Sequence, residues 1–292
     1  MRTLTNFLVF TFILSTSFVR AQTSETCNQN LSIFAESAKV KNYDAAYEPW
    51  TAVRAECPSL NRAIYTYGER ILKSRLKKAE GPAKEAEAQD LMKLYDQWIA
   101  NFPSRKGKNM IGSILASKAQ TMMDYKLGTT AEIYAVFDDA FTKDINSFTN
   151  PKGLYNYFKT MHDLYKAGAA GVTPEKLFNK YEEVSEKFEL EGTKLAKKLD
   201  VLLKKEESGS PLTTRDLKNR KKFDTNSKAI GIFLSNLDAI ISKESTCENL
   251  IPLYTRNFEE NKNDAVWLNR AAGRMKSKEC SDDPLFVTIV EA

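Results

Sequence analysis

The sequence predicts an all-α chain of paired helices with one long antiparallel helical hairpin set into it. Three observations point there. The 292 residues include only 12 Gly and 9 Pro, and Lys, Glu, Ala and Leu abound while strand-like alternation of Val, Ile and Thr is scarce. Apolar residues recur at i, i+3, i+4 and i+7 in most segments, which is the period of a helix face. One stretch after Thr173 runs for about 33 residues without a firm breaker, enough for a helix of roughly 50 Å.

Taken in order, residues 1–21 read as a secretory signal. Arg2 supplies the positive start, Phe7 to Leu14 (FLVFTFIL) is an apolar run too short to span a bilayer, and Val19-Arg20-Ala21 offers a cleavage site. The mature chain is expected to begin at Gln22. No lipobox precedes Cys27, so a lipoprotein is not expected, and no later apolar run approaches membrane-spanning length. Loss of Arg2 and Arg20 lowers the formal charge from +5 to +3, a balanced surface that makes no case for nucleic acid.

Residues 22–171 read as helical hairpins. The organising stretch is Asn42 to Pro58, with Asn42 and Asp44 as turn and cap residues. Ala46, Trp50, Val53 and Arg54 lie on one face, and Cys57-Pro58 is the stop. Leu31 to Val40 and Asp44 to Glu56 form the first pair. Leu60 to Lys78 and Ala83 to Phe102 form a longer one, turning at Gly81-Pro82. A helix is expected over Lys106 to Leu127, with Met110, Ile114, Leu115, Ala119, Met122 and Met123 inward. Gly128 breaks it, and Thr129 or Thr130 caps the next helix, which carries Ile133, Phe137, Ala140, Phe141 and Ile145 and ends before Asn150-Pro151. Lys152 to Lys166 is a short aromatic helix.

Residues 172–245 depart from these dimensions. Thr173-Pro174-Glu175 is a strong helix start. Leu177, Tyr181, Val184, Phe188, Leu195, Leu199 and Leu202 then repeat as a heptad seam, with a kink expected at Gly192. The return helix, Thr214 to Lys243, carries Phe223, Ile230, Phe233, Leu234, Leu237 and Ile241 at matching spacing. Residues 246–292 form one more hairpin and the start of a further helix at Asp282-Asp283-Pro284. Leu285 to Ala292 shows no stop signal, so further repeats are expected beyond it.

Four cysteines allow three pairings. Cys27 opens, and Cys57 closes, the two helices of one hairpin, and Cys247 and Cys280 stand likewise in another. Antiparallel helices of similar length bring such ends together, so Cys27–Cys57 and Cys247–Cys280 are expected as disulfides of an exported protein.

Ala46, Trp50, Val53 and Pro58 stand in the pattern of a tetratricopeptide second helix. Ile64, Tyr67, Gly68 and Ile71 fit a first helix, and Leu91, Tyr95, Trp98 and Pro103 again fit a second. The chain resembles that family in a degenerate form. Phe34 occupies a small-residue position, and Pro58 and Pro103 are 45 residues apart instead of about 34. Phe148 to Phe158 (FTNPKGLYNYF), Trp267 to Met275 (WLNRAAGRM) and Asp282 to Phe286 are similar to exported tetratricopeptide-type proteins of the Bacteroidetes group. The resemblance implies a solenoid of helical hairpins, a location outside the cytoplasm and binding without catalysis.

No catalytic residue, cofactor or metal site is expected. His162, the sole histidine, lies between Met161 and Leu164 on an aromatic helix, and reads as half-buried or surface, not as a general base. There is no His-Glu-x-x-His, Cys-x-x-Cys or calcium-loop spacing. The leading expectation is an exported, non-enzymatic scaffold that binds a protein or peptide, with Tyr67, Trp98, Tyr155, Lys221 and Lys222 as candidate contacts. The partner and oligomeric state are not legible. The alternative is a component that touches the cell envelope, membrane surface or glycan, through the basic tip of the long hairpin, Lys194 to Lys205 and Arg215 to Lys222.

Overall fold

The computed structural model describes residues 25–292, and the signal peptide expected over residues 1–21 lies outside the described residues. The described chain is all-α apart from one two-stranded ribbon, and it divides into two units within a single helix, the first ending at Lys118 and the second beginning at Ala119.

The first unit contains α1 (25–39), α2 (Tyr43–Glu56), α3 (Ala63–Lys78) and α4 (Gly81–Asn101). Neighbouring helices pack in sequence order, α2 on α3 and α3 on α4. Trp50 is the pivot of α2. Its ring is buried, its indole N–H donates to the Ile64 carbonyl at 2.7 Å, and Gly68 of α3 lies flat against it. Arg54, one turn on, donates to Gln97 Oε1 at 2.7 Å and Asp90 Oδ2 at 2.9 Å, tying α2 to α4. Tyr65 stacks on Trp98 with ring centroids 6.1 Å apart.

Two local expectations are corrected here. Gly81 and Pro82 are not the turn but the first residues of α4, where a proline needs no backbone donor; the turn is at Ala79 and Glu80. The helix expected from Lys106 starts only at Ile111. Before it, β1 (Ser104–Arg105) and β2 (Lys108–Asn109) form an antiparallel hairpin. Its two loop residues, Lys106 at φ 51° and Gly107 at φ 74°, take the left-handed conformation that a two-residue turn requires. As the expected Asp44 to Glu56 helix requires, α2 continues through Pro49, which removes one hydrogen bond of the helix ladder without ending it.

The helix α5 (Ile111–Tyr125) contains the division between the units. The second unit continues with α6 (Thr130–Asp144), α7 (Pro151–Lys166), α8 (Pro174–Glu207), α9 (Thr214–Glu244), α10 (Cys247–Asn261), α11 (Ala265–Ser277) and α12 (Pro284–Glu291). Thr129, and not Thr130, caps α6, in a capping box with Glu132. Phe137, Phe141, Phe148 and Tyr157 form an aromatic core between α6 and α7. Ile145, expected on that core face, lies past the end of α6 and is exposed. The pair α8 and α9 makes the most extensive helix–helix contact, and α7 and α10 pack on it. The seam residues Leu177, Tyr181, Val184 and Phe188 are fully buried, while Leu199 is only half-buried. Helix α8 runs unbroken through Gly192, which lies against Ile230. At the end of the chain Tyr254 meets the edge of Trp267 between α10 and α11, and α12 packs on both helices.

Cys27 and Cys57 are bonded, Sγ to Sγ 2.10 Å, and so are Cys247 and Cys280, at 2.09 Å. Each bond staples one hairpin. Two disulfides point to an oxidising environment. No helix among the described residues is long and apolar enough to cross a membrane.

Two predictions follow from this packing. A Cβ added at Gly68 would sit 2.7 Å from the Trp50 ring, whereas one at Gly231 on α9 would meet nothing. Gly68→Ala is therefore expected to cost about 1–3 kcal/mol, and Gly231→Ala to stabilise by about 0.5–1 kcal/mol, both read from urea denaturation. Equal effects of the two would mean that Trp50 does not pack where described. Loss of either disulfide, by Cys57→Ser or Cys280→Ser, is expected to cost about 3 kcal/mol in the same assay, with reductant abolishing the difference from the unmodified chain.

Candidate functional site

The long hairpin has two unlike halves. Towards its base, α7, α10 and α11 cover it. Phe158 meets the edge of Tyr181 at 6.1 Å, Tyr155 stacks on Phe233 at 5.0 Å, and Arg270 of α11 reaches Glu189 at 2.8 Å and Glu182 at 3.2 Å. Arg274 lies over the Tyr181 ring, donates to the Tyr254 hydroxyl at 2.8 Å and stands 3.6 Å from Glu182. Burial pushes the Glu182 carboxyl up, and Arg270 and Arg274 offset only part of that. Arg274 also stands 3.5 Å from Asp238 of α9, so the cluster joins α8, α9, α10 and α11 and holds the hairpin base.

Beyond Gly192 and Ile230 the cover ends. On α8 only Leu195 and Leu202 are still buried, and on α9 nothing from Thr214 to Ala229 is. The charge changes with the packing. Residues 193–228 carry eleven Lys and Arg against five Asp and Glu, a net +6, so the remainder of the chain is at −1. Lys204 pairs with Asp200, Lys205 with Asp216, Arg220 with Glu206 and Lys228 with Asp224. Lys197, Lys198, Arg215, Lys218, Lys221 and Lys222 form no ion pair among the described residues, and all six are exposed.

On one side of this end lies a groove of about 510 Å³, lined by Lys194, Lys197, Lys198, Val201 and Leu202 of α8 and Phe223 of α9. The α8 residues are three, four, seven and eight positions on from Lys194, a helix face. Lys198 Nζ is 5.6 Å from the Phe223 ring centroid, and Lys194 pairs with Glu191 at 2.9 Å. Val201 is 63% exposed. The tip is held by a capping box in which Asp216 accepts from the Thr213 N–H and hydroxyl, while Lys205 donates to the same carboxylate at 2.7 Å. Together, the lysine hydrogen bond and the Thr213 donors hold the Asp216 carboxyl at about 2, below the ordinary aspartate range.

The candidate contacts chosen from the sequence are placed unequally. Lys221 and Lys222 are exposed on α9, two residues and one residue before the groove residue Phe223. Trp98 is only 6% exposed and stacked on Tyr65, so its ring is closed to a partner, because it fills the layer between α3 and α4. Tyr67 is half-buried, with its edge on Phe34 and Arg70 over its face. Tyr155 is half-buried in its stack with Phe233. His162 is half-buried, and its Nε2 lies 3.0 Å from Glu244, which also pairs with Lys166. Among the described residues no His, Cys, Asp or Glu group has the arrangement to hold a metal ion. The sequence reading missed Lys197, Lys198, Val201 and Phe223 as a set. Their signal was present in Lys194-Leu-Ala-Lys-Lys-Leu-Asp-Val201, where a lysine and valine row parallels the buried leucine row.

No protein-family model matches this chain, and no curated protein or solved structure matches it either.

The Asp216 cap gives a pH prediction with a definite sign. A carboxylate whose folded-state pKa is depressed adds stability above its unfolded pKa and loses it as pH falls through the folded value. The tip should be fully held above pH about 4 and loosen as pH approaches about 2. The check is amide hydrogen exchange of residues 208–217. Extra protection in the unmodified chain over Asp216→Asn should be present at the upper pH and vanish at the lower one.

Proposed function

We propose that this chain is an exported, non-enzymatic helical scaffold of tetratricopeptide-like build that contacts an anionic component of the cell envelope through the distal half of its long hairpin. The observation that carries this reading is the placement of charge. A 36-residue end at net +6, with only Leu195 and Leu202 buried and six cations outside any ion pair among the described residues, sits on a chain that is otherwise close to neutral. Charges that only solvate a helix face are usually interleaved with their opposites. Concentrated, unpaired cations instead create a field that draws an anionic surface towards them. The disulfides support export, since such bonds persist in oxidising compartments. The resemblance to tetratricopeptide proteins supports a scaffold rather than a catalyst.

The other reading, a protein or peptide partner held by Tyr67, Trp98 and Tyr155, has less support, because Trp98 and Tyr155 are occupied in internal stacks.

The test is co-sedimentation of the full chain with envelope fragments at low and high salt. The chain should pellet at low salt and release as the Debye length shrinks. Lys221→Glu with Lys222→Glu lowers the end from +6 to +2 and should release at distinctly lower salt. A doubly substituted chain that binds like the original, or an original that does not bind, would overturn the proposal.

A further inference from the structure

We infer that the groove between α8 and α9 is a docking site for an acidic lipid bilayer, with Val201 and Phe223 meeting the acyl region over the buried Leu202 and Lys194, Lys197 and Lys198 meeting the headgroups. The inference rests on the envelope reading above and names its ligand.

Two features of the groove, taken together, select the ligand. Its floor is apolar and open, and Val201 is 63% exposed. Its rim on α8 is three lysines, spaced three and four residues from Lys194, so their ammonium groups border the same face. A purely polar polyanion, whether nucleic acid or acidic glycan, would satisfy the rim and leave the floor in water. A neutral lipid would satisfy the floor and leave the rim unmatched. An anionic headgroup on an acyl chain satisfies both. Lysine suits the boundary, because its four-carbon stem lies along apolar surface while the ammonium group reaches polar surroundings. The groove volume of about 510 Å³ lies within the range of small-ligand sites.

The surroundings point to a bilayer instead of a single captured molecule. Arg215, Lys218, Lys221 and Lys222 are exposed and free of ion pairs among the described residues. They extend the cationic surface well beyond the groove, further than one headgroup requires. A basic segment of this density, beside an apolar helix face, is the combination that holds a helix in an anionic interface. The absence of burial along α9 from Thr214 to Ala229 leaves that surface open.

The experiment is flotation of the full chain with vesicles of phosphatidylcholine alone or mixed with phosphatidylglycerol, at low and high salt. The expected result is binding to the acidic vesicles at least about tenfold tighter than to the neutral ones. Lys197→Glu with Lys198→Glu should weaken it by about tenfold or more. Val201→Asn should keep low-salt binding and lose the salt-resistant fraction. Val201 is exposed, so this variant tests the groove without testing the core, and unchanged circular dichroism verifies the hairpin. Equal binding to both vesicle types, or variants that bind like the original, would overturn the inference. Binding of heparin as tight as that of acidic vesicles, with Val201→Asn silent, would also overturn it. Lysine-dependent binding to envelope fragments without any vesicle binding would remove the lipid assignment and leave the envelope reading standing. No binding to either would remove both.

Discussion

The second unit is governed by a mismatch of length. Helices α8 and α9 have 34 and 31 residues, whereas α7, α10 and α11 have 16, 15 and 13. At 1.5 Å per residue the shorter helices can cover only about half of the hairpin. The other half must survive on what two helices give each other, a single seam with two leucines, each 9% exposed, and two cross-hairpin ion pairs. Hydrophobic burial is the main source of stability, so this half has little of it. Its tip is fixed instead by local devices: the Thr213 and Asp216 cap, the Lys205–Asp216 pair and the Arg220–Glu206 pair. Surface that is not needed for packing is then free to carry charge.

The covered half shows the opposite problem. Helix α8 is packed from several sides there, and a helix with one apolar stripe cannot face several neighbours at once. It therefore buries Glu182, Ser185, Lys187 and Glu191 beside its seam. A buried charge is tolerated only when it is paired. Lys187 meets Glu191 at 2.8 Å, and Glu182 meets the two arginines of α11. The arginines come from the cysteine-stapled hairpin, so the seating of that hairpin on α8 depends on the polar match. Apolar contact alone would allow α11 to slide; charges at fixed positions set its register.

Much of the helical fold was legible in the sequence, because helix periodicity and capping are local. Thr173-Pro174-Glu175, Asn150-Pro151 and Asp283-Pro284 all mark helix starts, each with the cap hydrogen bond the pattern implies. The pairing of the cysteines followed from helix lengths. The apolar period runs on past Pro49 and Pro252 and stops at Pro58, and α2 and α10 do continue through the first two. What was not legible depended on context. The left-handed Lys106 and Gly107 turn was hidden in a basic run that looks helical. The groove was only partly legible: the basic segments stood out, but pairing Phe223 with Val201 needed the register of two helices across a loop. Trp98 shows the reverse, a residue whose chemistry suggested a surface and whose neighbour Tyr65 buried it.

The two disulfides are both local, with separations of 30 and 33 residues. This bears on the order in which the chain assembles. Synthesis from the N terminus presents Cys27 and Cys57 together while Cys247 is still 190 residues away. Bridging Cys57 to Cys247 would close a loop about six times longer than either native one, at an entropic disadvantage of about 1.6 kcal/mol. For Cys27 the correct partner is thus both the earlier and the nearer one, its bonding leaves Cys247 only Cys280, and a chain built in this way can oxidise each end in turn, with little recourse to reshuffling of wrong bonds.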